Sequence, residues 1–409
     1  MAEYKVTNDP SFATKAIHVG AKPEQWTYNE VVPPVILSTT FKQALPGEDK
    51  GYDYGRSGNP TREMLEKTLA SLEDGRFCSC FSSGIGASTA VVNGLLNAGD
   101  HIICIKSVYG GNFRYFYNVV SRTNIETTFI DVSDLNLLLC TLRSSTKLLW
   151  LENPTNPMMD VIDIPAISKV VKDFNKDIII AVDNTFQTPY FQASRGSRFL
   201  GIVRPLQLGA DITVHSLTKY LNGHSDVVMG ATITDDETIA NRIKYVQNAC
   251  GAVPSPFDCF LVSRSLKTLH VRMDKHMENG LAVGRFLEKH PMVLKVLHPG
   301  LPSHPGYETA NQQWSGCSGM LSFYIRGTLK QSNAFFSSLK IFSLAISLGG
   351  YESLVDLPSK MTHAAMPQEE QLAVGITDTL IRLSIGLESV DDLIEDLRQA
   401  LDKAATTLR

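Results

Sequence analysis

The sequence predicts an α/β protein in which a mostly parallel sheet, covered by helices, is followed by a smaller C-terminal α/β domain. Three observations predict it. Up to about residue 235, short apolar runs rich in β-branched residues, "HIICI", "TTFIDV", "KLLWLE", "DIIIAVDNT", "ADITVHS" and "GATIT", alternate with helical stretches, the pattern of parallel strands buried on both faces. Beyond a long helical region, "KVLHPGL", "GMLSFYI", "FSLAISLGG" and "LIRLSIGLE" are strand-like runs separated by Gly and Pro. The chain of 409 residues also exceeds one ordinary domain.

The first clear helix is "NPTREMLEKTLASLEDG". Asn59 can cap it, Pro60 sits where a missing N–H costs nothing, Leu65, Leu69 and Leu72 share a face, and Gly75 can end it. A long helical region follows from about Phe257 to Lys289. The last helix begins at "ESVDDLIEDL", where Ser389 and Asp392 could form a capping box.

Composition excludes several classes. Basic residues number 38 and acidic ones 42, with no basic block, so nucleic acid is not an expected partner. No apolar stretch reaches the length of a membrane helix, and the N-terminus "MAEYKVTNDPSFATKAIHVG" has neither a secretory apolar core nor an Arg-rich presequence pattern. The cytosol is the expected compartment. Seven irregularly spaced cysteines do not form a disulfide framework. Cys78 and Cys80, flanked by Phe77 and Phe81, read as strand residues, and no metal is expected.

Three polar residues stand at strand ends: Glu152 in "LLWLENPTNP", Asp183 in "IIIAVDNT", and Lys219 just past "ADITV" in "HSLTKYLNGHSDVVMG". In an open parallel sheet those ends form one rim, where ligands bind. Aliphatic residues precede Asp183, so its carboxylate is at least half buried and needs a partner. Thr185, two residues on, points the same way. "FSSGIGAS" adds a strand, a small-residue turn and a helix start that aims backbone N–H groups at an anion. Gly84 and Gly86 half match a dinucleotide fingerprint, but no third glycine follows in place, so phosphate is the expected ligand. A lysine amine, a buried carboxylate and a phosphate cradle on one rim meet the needs of pyridoxal phosphate.

The chain also resembles the Cys/Met-metabolism pyridoxal-phosphate enzymes over nearly its whole length. The resemblance rests on the joint order of "AIHVG", "VVPPVILSTTF", "GRSGNPTR", "FSSGIGAS", "VYGGNFRYF", "ENPTNP", "VDNTFQTPYFQ", "HSLTKYLNGHSDVVMG", "VPSPFDC", "LKTLHVRM", "HPGLPSHP" and "TLIRLSIGLE". It implies a fold of the aspartate-aminotransferase type (fold type I), assembled as a homotetramer of two tight dimers. An N-terminal arm (1–60) would reach the neighbouring subunit's site, residues 61–256 would bind the cofactor, and 257–409 would form the linking helix and small domain.

By residue match, Lys219 is the cofactor-linking lysine and Asp183, with Thr185 beside it, the partner of the pyridinium nitrogen. Gly84, Ile85, Ser216 and Thr218 would hold the phosphate, joined by Tyr54 and Arg56 from the neighbouring subunit. Tyr109 would stack on the ring and transfer protons. Arg382, with Asn156 and Ser347, would bind the substrate carboxylate, a group that suits a guanidinium fork. Arg114 and Asp53 match positions near the distal end of a long substrate, and Glu152 is placed with the substrate-binding residues. The activity implied is γ-elimination from L-cystathionine, with hydrogen sulfide from cysteine as a side reaction.

Several positions depart from the animal γ-eliminating pattern. Ile346 stands where those enzymes usually carry glutamate, which raises methionine cleavage as the alternative, along with the family's synthase and β-lyase activities. Asn112 and Phe113 replace the common Thr and Asn, His215 and Leu217 flank the lysine motif, and Leu217 is larger than the usual alanine. Residues 193–203, "ASRGSRFLGIV", with Arg195 and Arg198, are inserted before the match resumes at Arg204. A surface loop is the expected reading of the insertion. A catalytically silent member of the family is the remaining reading.

Overall fold

The computed structural model describes residues 12–192 and 204–408. The insertion 193–203 and the first eleven residues of the predicted arm lie outside the described residues.

The larger sheet has seven strands: β1 (Phe77–Phe81), β2 (His101–Ile105), β3 (Glu126–Ile130), β4 (Thr146–Glu152), β5 (Ile179–Asp183), β6 (Ile212–Ser216) and β7 (Gly230–Thr234), in the order β1-β7-β6-β5-β4-β2-β3. Pairings from β3 through β2, β4 and β5 to β6 are parallel. In β4 and β5, Leu148 to Leu151 and Ile180 to Val182 are fully buried, because helices cover both faces and leave no solvent side for alternation. One expectation needs correction: "GATIT", β7, runs antiparallel to both β6 and β1. The connection from β6 to β7 is a turn of residues 217–229 with no crossover helix, so the strand returns in the opposite sense.

The smaller sheet comprises β8 (Val293–Leu297), β9 (Met320–Ile325), β10 (Ser343–Leu344), β11 (Leu354–Asp356) and β12 (Leu380–Ser384), ordered β10-β11-β12-β9-β8. Only β10 and β11 pair in parallel. Here "FSLAISLGG" departs from the sequence reading, since only Ser343 and Leu344 are strand and Ala345 to Gly350 run irregularly. The short strand β11 escaped the sequence reading.

Asn59 caps the helix Pro60–Leu72 as expected, accepting from Thr61 N at 2.9 Å and Arg62 N at 3.1 Å. The turn after it puts the positive φ on Asp74 (51°), while Gly75 N bonds to Ala70 O. The predicted helical region 257–289 is two helices, Pro256–Leu266 and Leu269–Lys289. Neither Gly nor Pro marks the break. The Arg272 guanidinium donates to Ser265 O (3.0 Å) in the first helix and to Tyr220 O (2.7 Å) and Leu221 O (3.4 Å) in the turn after β6, so one side chain ties the junction to that turn. Ser389 precedes the helix Val390–Ala405 but its side chain makes no capping bond. Asp391 and Asp392 bring the negative charge that favours a helix N-terminus.

Candidate active site

The strand rim and the smaller sheet enclose a cavity of about 340 Å³, within the range of small-molecule sites. Residues 82 and 83 turn β1 into the helix Gly84–Leu95, which Ser83 caps by accepting from Gly86 N at 2.9 Å. The helix's own ladder leaves its first N–H groups, at Gly84 and Ile85, free to face the cavity. The turn lies tight against β7: a Cβ on Gly230 would come within 2.3 Å of Ser83 O. No larger residue fits there.

Register brings the carboxylates together, because Glu152 on β4 is paired with Asp183 on β5. Glu152 accepts from Tyr109 N at 2.9 Å. Burial and the adjacent Asp183 push its carboxyl well up. Asp183 Oδ1 accepts from Thr185 Oγ1 at 2.5 Å and Thr185 N at 3.0 Å, and its other oxygen takes no hydrogen bond from the described residues. Burial raises the Asp183 carboxyl, against the opposing pull of the Thr185 bonds and of His215. Thr185 lies past the end of β5, and its hydroxyl accepts from Ser216 N at 2.8 Å, tying two strand ends into one rim.

Lys219 follows β6 in a tight turn, with Gly223 N bonded to its carbonyl at 2.7 Å. Its Nζ donates to Ser347 Oγ at 3.1 Å. Burial, then the Arg382 guanidinium, lower the amine to about 8. Arg382 on β12 is 1% exposed and donates to Asn156 Oδ1 at 2.9 Å and Ser347 O at 3.4 Å. Ser347 holds this place with φ 150°, a backbone region that side-chain-bearing residues rarely adopt and that clusters at functional sites. Tyr109 lines the same cavity, and Gly111 makes room for its ring, since a Cβ there would come within 2.3 Å of Tyr109 Cε1.

The cavity thus gathers Lys219, Asp183, Thr185, Glu152, Gly84, Ile85, Tyr109, Ser216, Thr218, Asn156, Ser347 and Arg382. The Thr218 hydroxyl donates to Met229 O at 3.2 Å, so its proton must rotate to reach an anion. Tyr54, Arg56, Asp53 and Arg114 do not line it and are exposed on this chain. Arg56 Nε instead donates to Asn248 Oδ1 at 3.1 Å. Leu217 is fully buried in the core behind the site and does not crowd it, and Phe113 packs against Phe129 and Tyr117. Asn112 borders the cavity, within hydrogen-bond distance of Ser88 Oγ at 3.0 Å. Ile346, 62% exposed, forms part of the rim with Val228.

Sequence reasoning missed Asp356. It closes β11, is 1% exposed, and contacts Arg382 Nη2 at 2.8 Å while accepting from Thr362 Oγ1 at 2.8 Å. The signal in the sequence was faint, an acid after the apolar pair Leu354 and Val355. Strand pairing makes the contact, since β11 sets Asp356 opposite Arg382.

The donor set fits pyridoxal phosphate. A buried amine lowered to about 8 can attack an aldehyde near neutral pH, a helix start with two free N–H groups suits a phosphate, and Asp183 keeps an oxygen open toward the cavity. Fold and site together define a pyridoxal-phosphate-dependent enzyme of the aspartate-aminotransferase type. The chain belongs to the Cys/Met metabolism PLP-dependent enzyme family, whose profile matches residues 13–402. It is 53% identical to the cystathionine gamma-lyase of Homo sapiens over 96% of this chain and 94% of the relative. The Dictyostelium discoideum cystathionine gamma-lyase is 47% identical over 97% of this chain and 99% of the relative. Among solved structures, a cystathionine gamma synthase from Xanthomonas oryzae pv. oryzae superposes with a TM-score of 0.91 at 39% identity, covering 98% of this chain and 100% of that one. A cystathionine gamma-lyase from Lactobacillus plantarum gives 0.90 at 38% identity, covering 96% of this chain and 99% of that one.

Proposed function

We propose that this chain is a carbon–sulfur lyase that converts L-cystathionine and one water to L-cysteine, 2-oxobutanoate and ammonia. One observation carries the reading. Lys219 Nζ and the Arg382 fork both contact Ser347, at 3.1 and 3.4 Å, so an amine and a carboxylate receptor stand one residue apart, the span of an α-amino acid backbone. The high identity to γ-lyases supports the choice of substrate.

Bound at Lys219, pyridoxal phosphate supplies an electron sink that acidifies the Cα–H bond of an amino acid. Asp183 would hold the ring nitrogen, and Gly84, Ile85, Ser216 and Thr218 the phosphate, with Tyr54 and Arg56 supplied by the neighbouring subunit of a homotetramer. The exposure of Tyr54 and Arg56 on this chain supports that sharing. Arg382 and Asn156, with Ser347, would bind the substrate carboxylate and turn Cα–H toward the Lys219 amine, which takes the proton. Tyr109, on the cavity wall, would donate to the departing sulfur. Arg114 and the neighbour's arm, with Asp53, would face the distal amino acid of cystathionine. In this reading the arm is residues 1–60, the cofactor domain 61–256 and the small domain 257–409. The activity belongs to transsulfuration in the cytoplasm, with hydrogen sulfide released from cysteine as a side reaction.

Ile346 favours a second reading, methionine γ-lyase, because an exposed aliphatic side chain on the cavity rim offers a distal ammonium nothing and a methyl thioether an apolar contact. The test incubates the cofactor-loaded protein with L-cystathionine, L-methionine and L-cysteine separately, and measures 2-oxobutanoate, pyruvate and thiol. Cysteine with 2-oxobutanoate from cystathionine supports the first reading. Methanethiol with little cystathionine turnover moves the assignment to the second, and no keto acid from any substrate leaves a silent protein.

A further inference from the structure

His215, one residue before Ser216 on β6, has no part in the chemistry above. Its side chain alternates away from Ser216 toward the sheet face opposite the rim hydroxyl. There it bonds through Nε2 to Glu73, the residue that ends the helix Pro60–Leu72. Glu73 Oε1 also accepts from Asn184 Nδ2 at 3.3 Å, and Asn184 follows Asp183 directly. All three are buried, His215 and Asn184 at 0% and Glu73 at 1% exposure.

This histidine differs from the others in the interior. His276, His298 and His363 are equally enclosed, have no carboxylate against the ring, and are pushed down by burial to about 4. Among the described residues His215 is the fully buried histidine bonded to an acid. A buried carboxylate without a cation is costly, and so is a buried imidazolium without an anion. The His215 ring is the partner that Glu73 Oε1 meets on this face, beside the Asn184 amide.

Around Asp183 the charges are few. Glu152 stands beside it on β4, Lys219 lies in the turn after β6, Arg382 faces Lys219 and Glu152 from β12, and His215 follows Val214, the register partner of Asp183 on β6. Cys78 on β1 is a thiol that burial keeps protonated, so it adds no charge here. We propose that Glu73 and His215 are positioning residues for the cofactor site, holding a buried positive charge behind Asp183 that keeps its carboxylate ionised for the ring nitrogen. Glu73 anchors the imidazolium, and the effect reaches the cofactor only through Asp183. The inference rests on the assignment of Asp183 to that nitrogen.

The test follows the visible band of the cofactor-loaded protein against pH. A charged ring nitrogen draws electrons from the chromophore nitrogen that Lys219 contributes and lowers its proton affinity, so loss of that charge raises the midpoint of the band's titration. Asp183→Asn sets the full effect. His215→Gln, His215→Phe and Glu73→Gln are expected to raise the midpoint in the same direction by about half a unit or more, and to speed cofactor loss on dialysis. His215→Gln keeps an N–H for Glu73 but no charge, so a packing role is rescued by it and a charge role is not. A wild-type midpoint in folded His215→Gln and Glu73→Gln overturns the proposal, even if His215→Phe fails to fold. An unmoved midpoint in Asp183→Asn instead overturns the assignment of Asp183, and the proposal with it.

Discussion

Burial and the Arg382 guanidinium lower the Lys219 amine to about 8 in the fold, against 10.5 for a free side chain. Between those values the unfolded chain binds the extra proton, so the stability of cofactor-free protein rises with pH from about 8 to about 10.5. Below pH 8 the fold carries the whole penalty. Lys219→Met should therefore stabilise the cofactor-free protein at neutral pH by up to about 3 kcal/mol and abolish that rise, which urea unfolding at several pH values measures. Arg382 poses the converse case. Its guanidinium is held by Asp356 at 2.8 Å and Asn156 at 2.9 Å, so Asp356→Asn leaves a buried cation without its anion and should cost about 3–5 kcal/mol. Arg382→Lys, which loses the planar fork, should raise KM for the amino-acid substrate by about tenfold or more while the protein stays folded; an unchanged KM would remove Arg382 from the carboxylate site.

Elements set these residues in place through their ends. Asn59 does so for the helix Pro60–Leu72: besides capping it, the side chain donates to Ile36 O at 2.8 Å, fastening the preceding segment to the helix start. Asn59→Ala is expected to lose about 1–2 kcal/mol by thermal or urea unfolding. Both partners of the cap were legible, because an Asn-Pro pair before a leucine face has a direct physical meaning. The break between the helices Pro256–Leu266 and Leu269–Lys289 was not, because no Gly or Pro marks it and the contacts beside it, from Arg272 to the carbonyls of Tyr220 and Leu221, join segments far apart in sequence. Likewise β11 has three residues, too few to show a period, and owes its existence to pairing with β12 and β10.

At the scale of the whole molecule, the cavity has a chain-internal half and an exposed remainder. If Tyr54 and Arg56 serve a neighbouring subunit, mixing inactive Arg56→Ala and Lys219→Ala proteins should restore activity, because each hybrid pair rebuilds one intact site. Random exchange sets the ceiling near about a quarter of wild type. No recovery after exchange would assign Arg56 to its own chain. Ile346→Glu should raise the cystathionine-to-methionine rate ratio, and a ratio that does not move would clear Ile346 of any part in substrate choice. The insertion before Arg204 is bracketed by fixed points: Arg204 is fully buried and donates to Gln192 O at 3.2 Å and to Pro189 O.

The sequence by itself determined the strands around the site, the helix start at "FSSGIGAS", and the trio Glu152, Asp183 and Lys219, because each is a local event in which an apolar run ends in a polar residue. Arg382, Asn156 and Ser347 entered through the resemblance of whole motifs, since nothing local in "LIRLS" or "AISLGG" marks a carboxylate receptor. Only the tertiary structure decided that Asp356 holds Arg382, that Glu73 reaches His215 across 142 residues, and that Leu217 packs away from the cavity. Those contacts join elements distant along the chain, and a buried charge finds its partner in space, where local pattern carries no record of it.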